Sequence, residues 1–396
     1  MYQDLKRIFH TDATKAEAVY QKRFSDSSAM IIGLRENEPF FYWGAPDTYK
    51  KILAIERLDR KTEELASSLP PTAVNHYLSE CMIDEIIITN DIEGVISTRK
   101  QVEAALDALR RNDKRQRFQG IVNKYQALAT NTDVPLATCE DIRSLYDTLV
   151  LEEVLADDPT KAPDGRLFRT EAVRVADAAD RTIHENAFSE SRIEAELTNI
   201  LQFYNNPSIE ASVRAAIFHF AFAYIHPFYD GNGRTNRFVS SYLLTRDVSR
   251  FAGLRLSFSV KENIHDYYKA FTLAEHPLSR GDLTPFILTF LDLIIDAIEK
   301  TYKSLEEKQI LRGHFRNILA EWPVDTKPLD VSGVGTTLLD AALFTANGLT
   351  AEQIAEETHI STPTAHKRLK EFEQQGLLRR TRTGRRVCYQ LNLETL

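Results

Sequence analysis

From about residue 50 to residue 312 the apolar positions recur at helical spacing, and nothing in that span alternates strands with helices as a parallel sheet requires. The clearest stretch is Val213 to Tyr224, where Val213, Ala216, Ile217, Phe220, Ala221 and Tyr224 share one stripe and predict a buried central helix. One short segment departs from this pattern. Pro159, Pro163 and Gly165 break the helical spacing, and Val173 and Val175 then alternate with charged neighbours, which predicts an exposed β-hairpin within Arg166 to Ala176. Periodicity lapses again between Glu321 and Gly335, where Pro323, Pro328, Gly333 and Gly335 crowd a short span and predict a linker.

Beyond that linker Thr350-Ala351-Glu352-Gln353 has the form of a capping box and opens a helix containing Ile354 and Ala355. Ser361 caps a second helix, Thr362 to Gln374, whose apolar stripe is Ala365, Leu369 and Phe372. With only His359 to Ser361 between them, the pair resembles a helix-turn-helix. Leu377-Leu378, a turn at Thr383-Gly384 and the alternation of Val387, Tyr389 and Leu391 add a two-stranded wing. The expectation is therefore a mostly α protein, with one small β-hairpin on its helical core and the wing at its C-terminal end. Its parts would be an N-terminal helical region (1–110), a helical core (111–320), a linker (321–335) and a winged helix-turn-helix domain (336–396).

Composition changes this picture in two places. The 396 residues are 43% hydrophobic and 27% charged, an ordinary globular balance, and the net charge of −8 excludes a global pull toward nucleic acid or anionic membranes. Any such surface must be local, and Ser361 to Gln390 supplies one. It holds eight Lys or Arg against two Glu, net 8 − 2 = +6. Lys367, Lys370, Arg382, Arg385 and Arg386 are its candidate contacts to duplex DNA, although a winged helix also serves as a protein-docking or homodimer module and a basic wing can be an ordinary solvated hairpin, and all three readings stay open. Cys81, Cys139 and Cys388 lie far apart in sequence, outside any disulfide or thiolate-metal spacing, so a reducing cytoplasm is expected. No apolar run follows Lys6 and Arg7, and Asp292 and Asp296 interrupt Phe286 to Ile298, so neither secretion nor a membrane span is expected.

The chemistry concentrates after the central helix, in His226-Pro227-Phe228-Tyr229-Asp230-Gly231-Asn232-Gly233-Arg234-Thr235-Asn236-Arg237. Pro227 ends the helix and leaves His226 at its terminus. Gly231, Asn232 and Gly233 tolerate left-handed backbone, so they can aim successive N–H groups at one anion, helped by the dipole of the next helix. Arg234 and Arg237, three residues apart, share a helix face, and Asp230 offers the hard oxygen that suits Mg²⁺ on phosphates. A base, a metal carboxylate, an anion seat and two arginines describe phosphoryl or nucleotidyl transfer.

This string resembles the signature of the Fic family, HPFx(D/E)GNGRxxR, and meets every fixed position. The resemblance implies an all-helical Fic core whose enzymes mostly transfer AMP from ATP to a hydroxyl side chain of a target protein. It implies His226 as general base, Asp230 as Mg²⁺ ligand, Gly231, Asn232 and Gly233 around the phosphates, and Arg234 and Arg237 on the β and γ phosphates. The GNGR tetrapeptide lacks the lysine of the family's phosphorylating branch, which favours AMP over phosphate. Gly165 to Ala176 is similar to the family's flap, with Gly165, Arg166, Leu167, Phe168 and Arg169 holding a target segment by strand addition; an ordinary surface turn is the other reading. Asn263, ahead of Tyr267 and Tyr268, is similar to an Asn bordering the nucleotide; the tyrosines are open between pocket and core.

Thr89-Asn90-Asp91-Ile92-Glu93-Gly94 matches (S/T)xxxE(G/N), the family's inhibitory pattern, and also reads as a helix end with a glycine cap. The resemblance implies that Glu93 reaches Arg237 and removes the fork that orients the γ phosphate. Three functions are thus expected in competition: an auto-inhibited, Mg²⁺-dependent protein adenylyltransferase acting on Ser, Thr or Tyr hydroxyls, its own included; a DNA-binding regulator with a Fic sensor core; and an enzyme that removes AMP, with Glu93 orienting water.

Overall fold

A computed structural model describes residues 2–111, 116–130, 132–176, 182–321, 333–383 and 386–396. In chain order, helices α1 (Leu5–Thr11) and α2 (Ala13–Phe24) precede a hairpin of β1 (Ala29–Gly33) and β2 (Phe40–Trp43). There follow α3 (Pro46–Ser67), α4 (Pro71–Ile92), α5 (Arg99–Arg111), α6 (Gln119–Ala129) and α7 (Cys139–Tyr146), then a π-helical turn (Asp147–Leu151) and α8 (Glu152–Asp157). A second hairpin, β3 (Val173–Ala176) and β4 (Thr182–Asn186), leads to α9 (Glu190–Tyr204), α10 (Ala211–Ile225), α11 (Asn232–Asp247), α12 (Arg250–Gly253), α13 (Leu256–Glu262) and α14 (Ile264–Glu275). The long α15 (Thr284–Glu321) is followed by α16 (Val334–Phe344), α17 (Ala351–Glu357), α18 (Thr362–Gln374), β5 (Leu378–Thr383) and β6 (Arg386–Leu391). Among the described residues the sheets are antiparallel pairs, so the protein is mostly helical, as its periodicity predicts.

Packing divides the chain into one unit of residues 1–59 with 83–298 and a second of 60–82 with 299–396, the boundaries falling within α3, α4 and α15. In the first unit α10 is the centre. It is buried on nearly every side: beyond the predicted stripe, Ala215, Phe218, His219, Phe222 and Ile225 are also enclosed. Phe220 meets Phe40, Phe271 and Phe286 at ring separations of 4.9, 5.7 and 5.1 Å, the close aromatic contacts of a dense core. The β1–β2 hairpin was not foreseen, because Phe40-Phe41-Tyr42-Trp43 is an unbroken apolar run; both faces are covered, and Phe41 also bonds the backbone of Gly281 and Leu283.

The expected hairpin needs correction. Its strands are β3 and β4, with Val173 opposite Asn186 and Arg174 opposite Glu185, whereas Gly165 to Arg169 form a loop ahead of it. That loop wraps the Glu190 carboxylate, which accepts the backbone N–H groups of Arg166, Leu167 and Phe168 at 3.0, 2.6 and 2.9 Å. Burial opposes ionisation of Glu190, but these three donors hold its carboxyl below the ordinary range. A Cβ at Gly165 would lie 2.4 Å from Glu190 Oε2, so only glycine lets the loop close so tightly.

In the second unit, Thr350 and Gln353 form the predicted capping box and Ser361 caps α18, whose buried residues are Ala365, Leu369 and Phe372. The turn between α17 and α18 is a Schellman motif: left-handed His359 (φ 55°) lets Ile360 N–H reach Ala355 O and His359 N–H reach Glu356 O. The wing pairs Leu378 with Leu391 through Thr383 with Arg386, and Leu349 bridges Tyr389. Most of the expected linker, 322–332, lies outside the described residues.

Candidate functional site

The histidine loop joins α10 to α11 within the first unit. His226 caps α10 in a left-handed conformation, φ 51°, with its N–H on Phe222 O. Its Nδ1 lies 3.4 Å from Ala223 O; a proton there leaves the lone pair on Nε2. Asn232 staples the loop, accepting Phe228 N–H at 3.0 Å and donating to Phe228 O at 2.8 Å. Tyr146 stacks on Phe228 at 3.6 Å and supports it from α7.

The expected run of left-handed residues is corrected. Gly231 alone of the three has positive φ, 76°, while Asn232 and Gly233 already belong to α11. The anion seat is the first turn of a sixteen-residue helix, with its unpaired N–H groups and positive dipole end. A carboxylate occupies it. A Cβ on Gly233 would come within 2.1 Å of Glu93 Oε1, so Glu93 lies directly over the helix start.

Glu93 arrives there from the end of α4, which closes in a second Schellman motif: Gly94 is left-handed (φ 72°), Val95 N–H bonds Asn90 O and Gly94 N–H bonds Asp91 O. The glycine cap and the inhibitory pattern are thus the same structure. Arg237 Nη2 donates to Glu93 Oε1 at 2.8 Å and to Thr89 O at 3.0 Å, and Nε donates to Thr89 Oγ1 at 2.9 Å. Burial opposes the Arg237 charge, but Glu93, Tyr267 and Tyr268 outweigh it and hold the guanidinium above its ordinary range.

Behind Arg237 lies a buried polar set that sequence reasoning missed. His219 bridges Ser240 Oγ (2.7 Å) and Tyr267 Oη (2.8 Å), and burial, with Arg237 nearby, pushes its pKa down to about 3. Glu85, one helical turn before Thr89, accepts Ser257 N–H at 2.8 Å; burial raises its pKa, opposed by Ser257 and Arg237. The i, i+4, i+8 spacing of Glu85, Thr89 and Glu93 was the available signal.

Arg234 faces other neighbours, Tyr146 and Glu153, and its buried Nε has no hydrogen-bond partner among the described residues. Burial and then Asp230 raise the Tyr146 hydroxyl, which places that ring beside the expected metal carboxylate. Asp230 is half-buried and accepts Gly231 N–H. One hard oxygen with access to water is the protein share that Mg²⁺ takes when phosphates complete its shell, so the donor set fits the ion.

Asn263 donates to Ser259 O at 2.9 Å and to Asp296 at 3.4 Å, and lines a cavity of about 370 Å³ with Asp266, Lys269 and Asp292. Tyr267 is buried against His219 and Phe271, a core position that also touches Arg237 electrostatically. Leu167, Phe168 and Arg169 are buried, and Arg166 pairs with Glu140 and Glu194, so the expected docking residues anchor the loop. In the second unit Lys367, Lys370 and Arg382 are exposed and Arg386 donates to Gln353, while Arg385 lies outside the described residues. Both acids of the basic segment are spent on neighbours, Glu371 on Arg368 and Glu373 on Arg380. No helix among the described residues is long and apolar enough to cross a membrane.

Residues 137–244 match the model of the Fic/DOC family, and residues 341–386 match that of the MarR family. A protein from Nematostella vectensis named Protein adenylyltransferase Fic is 25% identical over 246 residues, 59% of this chain and 52% of that one. The protein of the same name from Culex quinquefasciatus is 29% identical over 256 residues, 62% and 46% respectively. The chain therefore matches about half the length of these curated relatives. A Fic family protein from Desulfovibrio desulfuricans G20 shares the fold, with a TM-score of 0.52 at 19% identity over 88% of this chain and 97% of that one.

Proposed function

On a chain that carries a Fic/DOC family domain, we propose a protein adenylyltransferase that moves AMP from ATP to a Ser, Thr or Tyr hydroxyl of a target protein, its own included, and that Glu93 restrains. The observation that carries the reading is the seated carboxylate: the start of α11 and Arg237 hold an anion on the helix that follows the histidine loop. In the active arrangement a phosphate takes that seat. His226 Nε2 accepts the hydroxyl proton, the oxygen bonds to the α phosphorus, and the bond to pyrophosphate breaks. Arg234 and Arg237 carry charge on the departing pyrophosphate, held without water to reorganise. Asp230 would hold Mg²⁺, which when bound neutralises phosphate charge.

With Glu93 on Arg237, the fork is turned from the γ phosphate and ATP loses its productive pose. The C-terminal module, by its MarR family match and exposed Lys367, Lys370 and Arg382, reads as a duplex-DNA surface to which Arg385 and Arg386 add charge. Labelled ATP tests the transfer. His226→Ala should lower labelling by about two to four powers of ten while leaving ATP binding intact. Labelling at the wild-type rate would remove His226 from the reaction, and AMP lost from a modified target, abolished by Glu93→Gly, would replace transfer by removal.

A further inference from the structure

Arg169 is fully buried, yet among the described residues no carboxylate pairs with it. Its guanidinium is spent on carbonyls: Nε donates to His226 O at 2.7 Å, Nη2 to Ile225 O at 3.2 Å, and Nη1 to Phe188 O at 3.3 Å and to Glu171 O. Its backbone N–H adds Pro227 O at 3.1 Å. Asn186, the last residue of β4, completes the series by donating to Tyr224 O at 2.7 Å. The four carbonyls from Tyr224 to Pro227 are therefore held by two residues, one before β3 and one ending β4.

We propose that Arg169 is a positioning residue for His226, a single buried fork that ties the histidine backbone to both roots of the β3–β4 hairpin so that hairpin and base keep one spacing. The proposal rests on His226 being the transfer base. Three facts give it force. His226 is left-handed and non-glycine, a conformation that persists only where the surroundings dictate it. Glu171 and Phe188 flank the hairpin on opposite sides, so one guanidinium joins three chain segments at a single point. Only a guanidinium supplies enough donors in one plane to reach all of them, and its charge opposes the negative end of α10. The hairpin and the backbone that carries the imidazole are thus tied together, and the clamp sets the spacing between them.

The test uses the full chain and self-labelling from ATP in wild type, Arg169→Met, Arg169→Lys and His226→Ala, with the His226 imidazole carbon signal followed by NMR and assigned by its loss in His226→Ala. Arg169→Met should lower the rate at saturating ATP about a hundredfold, as a misplacement of about 1 Å does, with the ATP KM within about twofold. Arg169→Lys, which keeps the charge but reaches fewer carbonyls, should recover part of the rate, and the His226 signal should move in both variants. A wild-type rate and an unmoved signal in either variant would overturn the proposal, as would rate and ATP affinity falling together. If Arg169→Met does not fold, Arg169→Lys decides. Wild-type labelling by His226→Ala would instead overturn the base assignment, whatever Arg169 does.

Discussion

Arg237 and Arg380 each donate to one glutamate, at 2.8 and 3.1 Å, and on distance alone the two pairs are alike. Their surroundings differ. The Arg237 side chain is 2% exposed and its Glu93 partner 29%, whereas Arg380 and Glu373 are 52% and 53% exposed. On the wing, water screens the pair and replaces either partner, so it contributes almost nothing. In the helical unit, loss of Glu93 leaves a buried guanidinium above a helix N-terminus, a site that then draws in another anion. Burial, not the presence of an ion pair, would make one contact a switch under the proposed function and leaves the other a solvated ornament of the surface.

The strongest challenge to this contrast is Glu93→Gly. It should raise AMP labelling by about one to three powers of ten, the gain that about 1.5 to 4 kcal/mol released from a broken buried pair gives. Adding Arg237→Ala should cancel the gain, a non-additive result that independent effects would not give. Labelling unchanged in the single variant would make the buried pair as idle as the surface one.

Glu275 sharpens the contrast from the acid side, because there burial outweighs Arg35 and pushes the carboxyl up to about 7. The folded state then binds this proton more tightly than the unfolded chain, whose carboxyl titrates near 4.5. Stability from this group is full below about pH 4.5 and is lost as pH rises through about 7, by at most about 3 kcal/mol. Glu275→Gln should flatten the fall of Tm between pH 5 and 7; an unchanged slope would assign it elsewhere.

The exposed basic segment should respond to salt instead. Lys367 and Lys370 changed together to Ala should reduce the salt slope of duplex-DNA binding by about two, and no binding at low salt would favour a docking role. Smallest of all, Glu373→Ala should shift stability by less than about 0.5 kcal/mol in chemical unfolding, and a larger loss would erase the distinction between the two pairs.

What could be read in advance follows the range of the interactions. Caps are local, so Thr350 with Gln353 and Ser361 with α18 stand in the sequence as they stand in the structure. The histidine loop between two helices was equally legible, since Pro227 and Gly231 fix its ends by their own backbone limits. Longer-range matters were not. Gly165 to Arg169 resembled a flap because nothing nearby in sequence reveals Glu190, whose carboxylate folds the loop, or the carbonyls that bury Arg169. Asn263 is drawn to Asp296, thirty-three residues on, and β2 reads as any apolar run until its two covered faces are seen.

Gly233 carries a final consequence. Its backbone is helical, so alanine would fit the torsions and suit the helix better than glycine does. The chain forgoes that gain at the first turn of its central anion site, where a methyl group would collide with the Glu93 carboxylate. A phosphate approaching the same N–H groups needs the same empty volume. Under the proposed function, Glu93 and a substrate phosphate would therefore be rivals for the space over Gly233, and a change that fills it to evict one would bar the other as well.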